Sequence, residues 1–151
     1  MPVPDMEQLA KEVKESSLRG NLCSQIVVDV GLRHLGMEKR DVVCAMGGLV
    51  GAQGLMGATC GTLTAAACLI ASAAQGKVDP GRMYMLIQEL EERFNTEIVS
   101  GYPGNHCDDL LEADPTKLPT EVCPPIIAGA IRTALELLEG EGLVVKALIE
   151  A

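Results

Sequence analysis

The chain has 151 residues and a formal net charge of −9, from 12 Lys and Arg against 21 Asp and Glu. This acidic balance argues against nucleic acid as a main partner, because binding to phosphate backbones needs a basic patch. Hydrophobic residues make up 48% of the chain but aromatics only 2%, so the core must consist mainly of aliphatic side chains. Such a composition favours helices over sheets, and the length fits one domain.

Helix start and stop signals follow one another along the whole chain. Asp5 and Asp79-Pro80 are N-cap signals for the first and fifth helices, and Asn21 and Asn105 for the second and sixth. The predicted helices lie at about 6–17, 22–35, 38–46, 59–75, 80–95, 106–112 and 124–138. The signals therefore predict a single all-α domain of six to seven helices, with a Gly-rich loop before the fourth.

The predicted domain divides into three parts along the chain. Residues 1–18 form an N-terminal helix, 19–139 the helical core that contains every cysteine, and 140–151 a C-terminal tail. The tail from Leu143 to Ala151 is predicted as either a short helix or an extended segment.

Residues 42–76 contain no Asp, Glu, Lys or Arg, which raises the question of a membrane span. A span needs about 20 mostly apolar residues. The first half of this stretch is broken by glycines, and the second half, at about 12 apolar residues, suits a buried core helix better. We therefore predict no membrane insertion. The charged N-terminus lacks the apolar core of a signal peptide, so we expect a cytoplasmic protein.

Six cysteines are the main chemical clue. In a reducing compartment, cysteines are more often ligands or redox groups than permanent disulfides. Four of them fall at predicted helix N-termini: Cys23, Cys60, Cys107 and Cys123. Unpaired N–H groups and the positive end of the helix dipole stabilise a thiolate there, which predicts lowered pKa values and one four-thiolate centre. Cys44 and Cys68 fall within apolar helical stretches and are predicted to be small core residues.

Placement alone leaves alternatives open for these cysteines. The four positions match no short Cys-x-x-Cys metal motif. All six cysteines could instead be core residues, since free cysteine is among the most buried residue types. A disulfide or a redox-active pair is the third alternative. His106, next to Cys107, could be a ligand or a hydrogen-bond donor to a thiolate, or simply an exposed residue.

A Gly-rich tract precedes Cys60, with Gly48, Gly51, Gly54 and Gly57 at steps of three. No Gly-Lys-Ser/Thr follows, so the tract is not a Walker phosphate-binding loop. It is either a flexible loop or a loop whose backbone N–H groups surround a cofactor. In the second case Gly57 and Gly61 are the candidate cofactor-binding residues, because glycine allows close approach.

Four segments together resemble a known family. They are Asn21-Leu-Cys23-Ser-Gln25-Ile-Val, Thr59-Cys60-Gly61-Thr62-Leu63-Thr64-Ala65 after the Gly-rich tract, Glu92-Arg93-Phe94 with Asn105-His-Cys107-Asp-Asp-Leu110-Leu111, and Cys123-Pro-Pro-Ile-Ile-Ala-Gly-Ala-Ile. In order and spacing they resemble the CGCAxxGCC-motif family, whose members are described as redox-active proteins. The resemblance covers about Leu18 to Leu138. Thr62 stands where the family usually has Ala, and Ala65 where it has Gly.

The resemblance implies a small helical protein in which the four cysteines predicted at helix N-termini form one redox-active site. The family is similar to a module of split-Soret cytochromes, which implies an iron–sulfur cluster as the cofactor. The Cys-x-x-Cys-His pattern of covalent haem is absent. We therefore expect a protein for electron transfer or redox sensing that holds an iron–sulfur cluster on Cys23, Cys60, Cys107 and Cys123 and meets a redox partner protein.

Two other functions are compatible with the same residues. One is a thiol–disulfide protein that uses a pair of the four cysteines. The other is a structural zinc site in a helical interaction module, since soft thiolates also select zinc. None of these functions indicates a substrate, so enzymatic activity stays open. A homodimer is compatible with the apolar content, but no interface is indicated.

Overall fold

The computed structural model of the chain describes residues 3–143. Within them it contains seven α-helices and no β-strand, which confirms the prediction of an all-α fold. The helices are α1 (Met6–Leu18), α2 (Cys23–His34), α3 (Arg40–Ala45), α4 (Gly61–Ala74), α5 (Pro80–Arg93), α6 (Cys107–Leu111) and α7 (Pro119–Gly140). A short 3₁₀-helix, Met46–Leu49, follows α3, and a π-helical turn, Phe94–Ile98, follows α5. Residues 144–151 of the predicted tail lie outside the described range.

The centre of the fold is formed by α2, α4 and α7, each of which packs against the other two. Helix α1 covers α2 and α7, and α5 covers α4 and α7. Small residues let the central helices approach closely. A Cβ atom added at Gly31 of α2 would lie 2.3 Å from a methyl group of Leu69 in α4. The fully buried Ala65, Ala66 and Ala74 have small side chains, which likewise let neighbouring segments pack close to the α4 backbone.

The uncharged stretch 42–76 is divided among several short elements. It contains the end of α3, the 3₁₀-helix, the Gly-rich loop and the 14-residue α4. Within residues 3–143, no helix is both long enough and apolar enough to cross a membrane.

Two of the four predicted N-caps are confirmed, and those at Asn21 and Asn105 are wrong. Asp5 accepts a hydrogen bond from the Gln8 N–H (2.8 Å), and Asp79 accepts one from Gly81 (3.0 Å) ahead of the α5 proline. Asn21, by contrast, does not cap α2. That helix begins at Cys23 with Leu22 at the N-cap position, where the Leu22 N–H donates to Gln25 Oε1 (3.1 Å). Helix α6 has His106 at its N-cap position, and the Asn105 side chain instead donates to Asn95 Oδ1 (3.0 Å).

The side chain of Asn21 is occupied elsewhere, which explains why it does not cap α2. Its amide nitrogen lies 3.1 Å from Ser16 Oγ and 3.3 Å from Asp29 Oδ2. Asn21 therefore joins α1 to α2 as part of a polar cluster. Asparagine is a suitable N-cap residue type, but here its side chain makes hydrogen bonds between α1 and α2 instead of capping α2.

The start of α7 differs from the prediction. We expected Cys123-Pro124 to open this helix, but it begins at Pro119, with Leu118 at the N-cap. The Leu118 N–H donates to Glu121 Oε1 (3.4 Å), and proline suits the first helical position because its N–H would be unpaired there anyway. Pro124 and Pro125 thus lie inside the second turn, where two intrahelical hydrogen bonds are missing.

The Gly-rich loop is closed by hydrogen bonds rather than open. The Leu55 N–H bonds to the Val50 carbonyl (3.3 Å), and the Gly57 N–H bonds to the Gly51 carbonyl (3.1 Å). Residues 51–55 all have positive φ, between 60° and 67°, and three of these residues are not glycine. Left-handed backbone costs about 1–2 kcal/mol for each non-glycine residue. The hydrogen bonds across the loop and the buried Ala52 must therefore hold this backbone in place.

Candidate four-cysteine site

Each of the four predicted site cysteines comes from a different helix. Cys23 is the first residue of α2, Cys60 is the N-cap of α4, and Cys107 is the first residue of α6. For these three the predicted placement at a helix N-terminus is confirmed. For Cys123 it is wrong, because this residue lies in the second turn of α7.

Parallel packing of α2 and α4 brings Cys23 and Cys60 to the same end of the fold. At the start of the two helices, a Cβ on Gly61 would lie 3.7 Å from the Cβ of Ser24. About two turns further along both helices, Gly31 contacts Leu69. Because these two contacts occur in the same order along α2 and along α4, the two helices run in the same direction. Their N-termini therefore meet.

A short antiparallel pairing brings Cys60 and Cys107 together. The Cys60 N–H donates to the Asn105 carbonyl (2.9 Å), the Cys107 N–H donates to the Ala58 carbonyl (2.7 Å), and Thr59 faces His106. Successive side chains of extended backbone point to opposite faces. Cys60 and Cys107 therefore lie on one face of the pairing, diagonally across it, at a typical Cα spacing of about 7–8 Å.

The four thiols are close enough to affect one another electrostatically. Burial raises the pKa of the Cys123 thiol to about 12, with further contributions from Cys23, Cys60 and Cys107. Burial likewise raises the pKa of Cys107, and Cys60 and Cys23 raise it further. Like charges at neighbouring sites oppose ionisation of each. The structure thus gathers the four cysteines that the sequence analysis selected.

The other two cysteines lie apart from this group. The pKa of Cys68 is raised by burial alone, without a contribution from any other thiol. Cys44 is exposed on α3, so its prediction as a buried core residue is wrong. Cys68 is partly buried in α4, as its apolar surroundings suggested.

The predicted lowering of the thiol pKa is wrong for Cys60, Cys107 and Cys123 in the free-thiol form. At Cys60, burial raises the pKa, whereas the Thr62 N–H, the Thr62 hydroxyl and the Leu63 N–H lower it, and burial dominates. These donors are loosely placed, because the sulfur makes no full capping hydrogen bond at the start of α4. The helix N-terminus therefore acts in the expected direction but is outweighed by desolvation and by neighbouring thiols.

Thr62 is a contributor that the sequence analysis did not identify. It was noted only as a small residue where the resembling family usually has Ala. In the structure it is 1% exposed, and its hydroxyl lies close enough to the Cys60 sulfur to lower the pKa of that thiol. Its position two residues after an N-cap was the available signal, since N2 and N3 groups face an N-cap side chain.

The two candidate glycines, Gly57 and Gly61, both lie where protein segments approach closely. A Cβ on Gly61 would be 2.3 Å from the Leu49 carbonyl oxygen, so glycine lets the start of α4 pack on the 3₁₀-helix. Gly57 has φ +74°, and a Cβ there would meet the Asp108 carboxylate at 2.1 Å. Their small size is thus used for packing around the cysteines, and their contact with a cofactor stays a prediction.

The polar residues around Cys107 have mainly structural contacts. Asp109 accepts a hydrogen bond from the His106 N–H (3.2 Å) and so caps α6. His106 lies on the face of the pairing opposite to Cys60 and Cys107. Asp108 lies close enough to Cys107 to raise the pKa of that thiol.

All six cysteines are free thiols. Within residues 3–143, no group of three or more His, Cys, Asp or Glu side chains is arranged to hold a metal ion. The four thiols therefore interact electrostatically without surrounding a single point. Their assignment as metal ligands stays a prediction.

The fold defines a class of small all-α proteins with cysteines on four different helical segments. The family model "Putative redox-active protein (C_GCAxxG_C_C)" matches residues 21–137, and the chain belongs to this family. The matched range includes all four cysteines, which confirms the resemblance described above. Searches of curated proteins and of solved structures gave no match.

Proposed function

We propose that the four-cysteine site is the redox centre of this protein and that it binds an iron–sulfur cluster through Cys23, Cys60, Cys107 and Cys123. The observation that carries the proposal is geometric: the parallel packing of α2 and α4 and the pairing of residues 58–60 with 105–107 bring Cys23, Cys60 and Cys107 to one end of the fold. Cys123 of α7 lies near enough for these three thiols to raise its pKa further.

The charge balance of the site favours a cationic occupant. Burial, and after it repulsion from neighbouring thiolates, raises the pKa values of Cys107 and Cys123. Iron compensates this charge, and each ligand then loses its proton on binding. When bound, an iron–sulfur cluster takes up and releases single electrons. The chain contributes the four sulfurs, the Thr62 and Leu63 donors beside Cys60, and aliphatic walls that exclude water.

Soft thiolates select both iron–sulfur clusters and zinc. Membership of a family described as redox-active favours the cluster, because zinc has no redox chemistry. Four cysteines on separate elements supply the usual Cys₄ ligand set for such a cluster.

Thiol–disulfide exchange is the second candidate, and the pairing of Cys60 with Cys107 favours it. Both residues lie on one face of the antiparallel pairing. A disulfide requires a Cα separation of about 4.4–6.8 Å, somewhat less than the typical diagonal spacing of about 7–8 Å. This pair would need a small backbone shift to form a bond, so we rank it second.

Anaerobic purification followed by iron and acid-labile sulfide assays and a visible spectrum tests the proposal. We expect iron and sulfide in the wild-type protein, lost in the Cys23→Ser, Cys60→Ser, Cys107→Ser and Cys123→Ser variants. Cys44→Ser and Cys68→Ser are the matched controls and should keep both. Stoichiometric zinc without sulfide would replace the proposal by the zinc-site function. Metal-free protein whose thiol count changes on oxidation would favour the disulfide function.

A further inference from the structure

A second candidate site lies beside α2, and none of the four site cysteines lines it. It is a cleft of about 330 Å³ between α2 and α3. Four cationic side chains line it: Arg19, Arg33, Lys39 and Arg40. Two carboxylates, Asp29 and Glu38, also line it, so the cleft has two more positive than negative groups. This local excess contrasts with the net charge of −9 of the chain.

Two of the four cations are held in fixed positions. The Arg19 Nη2 lies 2.6 Å from Asp29 Oδ2, and the Arg33 Nε lies 3.1 Å from Asp29 Oδ1. The Ser16 hydroxyl also donates to Asp29 (2.7 Å), so this carboxylate is anchored from α1 as well. Each guanidinium has five N–H donors and uses only part of them on Asp29. The remaining donors are available to a ligand.

The other two cations are exposed and lack a carboxylate partner. Among the described residues, neither Lys39 nor Arg40 forms an ion pair. The floor of the cleft is aliphatic, formed by Leu32, Met37 and Val43. A concave surface that combines an apolar floor with converging charged groups is typical of a small-molecule site.

We propose that this cleft binds a small molecule with at least two oxyanion groups, either phosphate or carboxylate. Guanidinium groups bind both oxyanions through paired hydrogen bonds, and lysine adds a mobile positive charge. A cleft of this volume lies at the low end of the range for ligand pockets, which limits the ligand to a compact polyanion. Arg33, Lys39 and Arg40 are the residues that would contact it.

Cys44 provides a direct probe of the cleft, because it is exposed and lines the same surface. The rate at which N-ethylmaleimide alkylates Cys44 can be followed by mass spectrometry while pyrophosphate or citrate is added. We expect at least a several-fold slower reaction at Cys44 and an unchanged rate at Cys68, which lies on α4. Sodium chloride at equal ionic strength should not protect Cys44.

Variants separate specific binding from general charge attraction. Arg40→Gln and Lys39→Gln should each weaken the binding of pyrophosphate, measured calorimetrically, by about ten-fold, as expected for loss of one charged hydrogen bond. Lys77→Gln, which removes a positive charge outside the cleft, should bind as the wild type does. Binding of pyrophosphate alone would identify a phosphate ligand, and binding of citrate alone a carboxylate ligand. Failure of both to bind, or equal weakening by Lys77→Gln, would overturn the proposal.

Discussion

Gly61→Ala is the substitution that most directly tests how the start of α4 is held. The added Cβ would lie 2.3 Å from the Leu49 carbonyl oxygen, a backbone atom. Real Cβ atoms essentially never come closer than 3.0 Å, so one of the two segments must move by at least the difference, 0.7 Å. Neither segment can relieve this contact by a side-chain rotation.

The expected cost follows from two opposing effects. Overpacking of this kind costs about 1–3 kcal/mol, and the replacement of glycine by alanine in a helix returns up to about 1 kcal/mol. We therefore expect a net loss of about 1–2 kcal/mol, which corresponds to a lower Tm by roughly 2–8 °C for a domain of this size. The shift also displaces Cys60, so the proposed cluster content should fall.

Gly48→Ala is the matched control for this experiment. Gly48 lies in the 3₁₀-helix of the same Gly-rich segment, and a Cβ there would meet nothing within 4 Å. Urea denaturation of both variants measures the free energy of unfolding, and an iron assay after anaerobic purification measures the site. If Gly61→Ala matched Gly48→Ala in both measurements, close packing between α4 and the 3₁₀-helix would not be what positions Cys60.

Three further substitutions test separate parts of the structure. Thr62→Ala removes the hydroxyl that lowers the pKa of Cys60, so alkylation of Cys60 at fixed pH should slow several-fold, as peptide mass spectrometry would detect. Burial tends to raise the pKa of Asp29, but hydrogen bonds from its Ser and Arg neighbours lower it overall, below the usual 3.8. The Asp29 carboxylate therefore stabilises the fold above about pH 3.8, and this stabilisation is lost as the pH falls through the lower folded-state pKa. Asp29→Asn should make the free energy of unfolding less dependent on pH below 3.8 in an acid-denaturation experiment. His34→Leu removes the partner that lies 2.8 Å from the buried carboxylate of Glu12. The free energy of unfolding, measured by chemical denaturation, should fall by about 3–5 kcal/mol. The Glu12→Met/His34→Leu variant, which also removes the carboxylate, should regain most of this loss.

Local signals were sufficient to predict most helices. Asp5 and Asp79 cap the helices that follow them by accepting the Gln8 and Gly81 N–H groups. The same kind of signal failed at Asn21, whose amide contacts Ser16 and Asp29 instead. At α7 two proline positions competed, and the earlier one, Pro119, begins the helix. Sequence reasoning had no means to rank the two without knowing what surrounds each.

The geometry between the cysteines depends on contacts between distant residues. The pairing of Ala58–Cys60 with Asn105–Cys107 joins two loops far apart in the chain, and no residue pattern marks it. The left-handed backbone at Ala52, Gln53 and Leu55 is equally hidden, because these residue types rarely adopt positive φ. The pairing includes Cys60, and the left-handed segment precedes Cys60 in the chain. Strained backbone persists only where the surrounding structure enforces it, and it is concentrated at functional sites.

The corrected start of α7 explains why the four thiols are not equivalent. Cys60, at an N-cap, faces the Thr62 and Leu63 donors, which lower its pKa. Cys123 lies in the second turn of its helix, where the backbone N–H groups are no longer those of a free helix end, and prolines follow it directly. Nothing there offsets burial and the three neighbouring thiols, so the pKa of Cys123 rises to about 12. If the proposed cluster binds here, Cys123 is the ligand whose loss of a proton burial and the neighbouring thiols oppose most strongly.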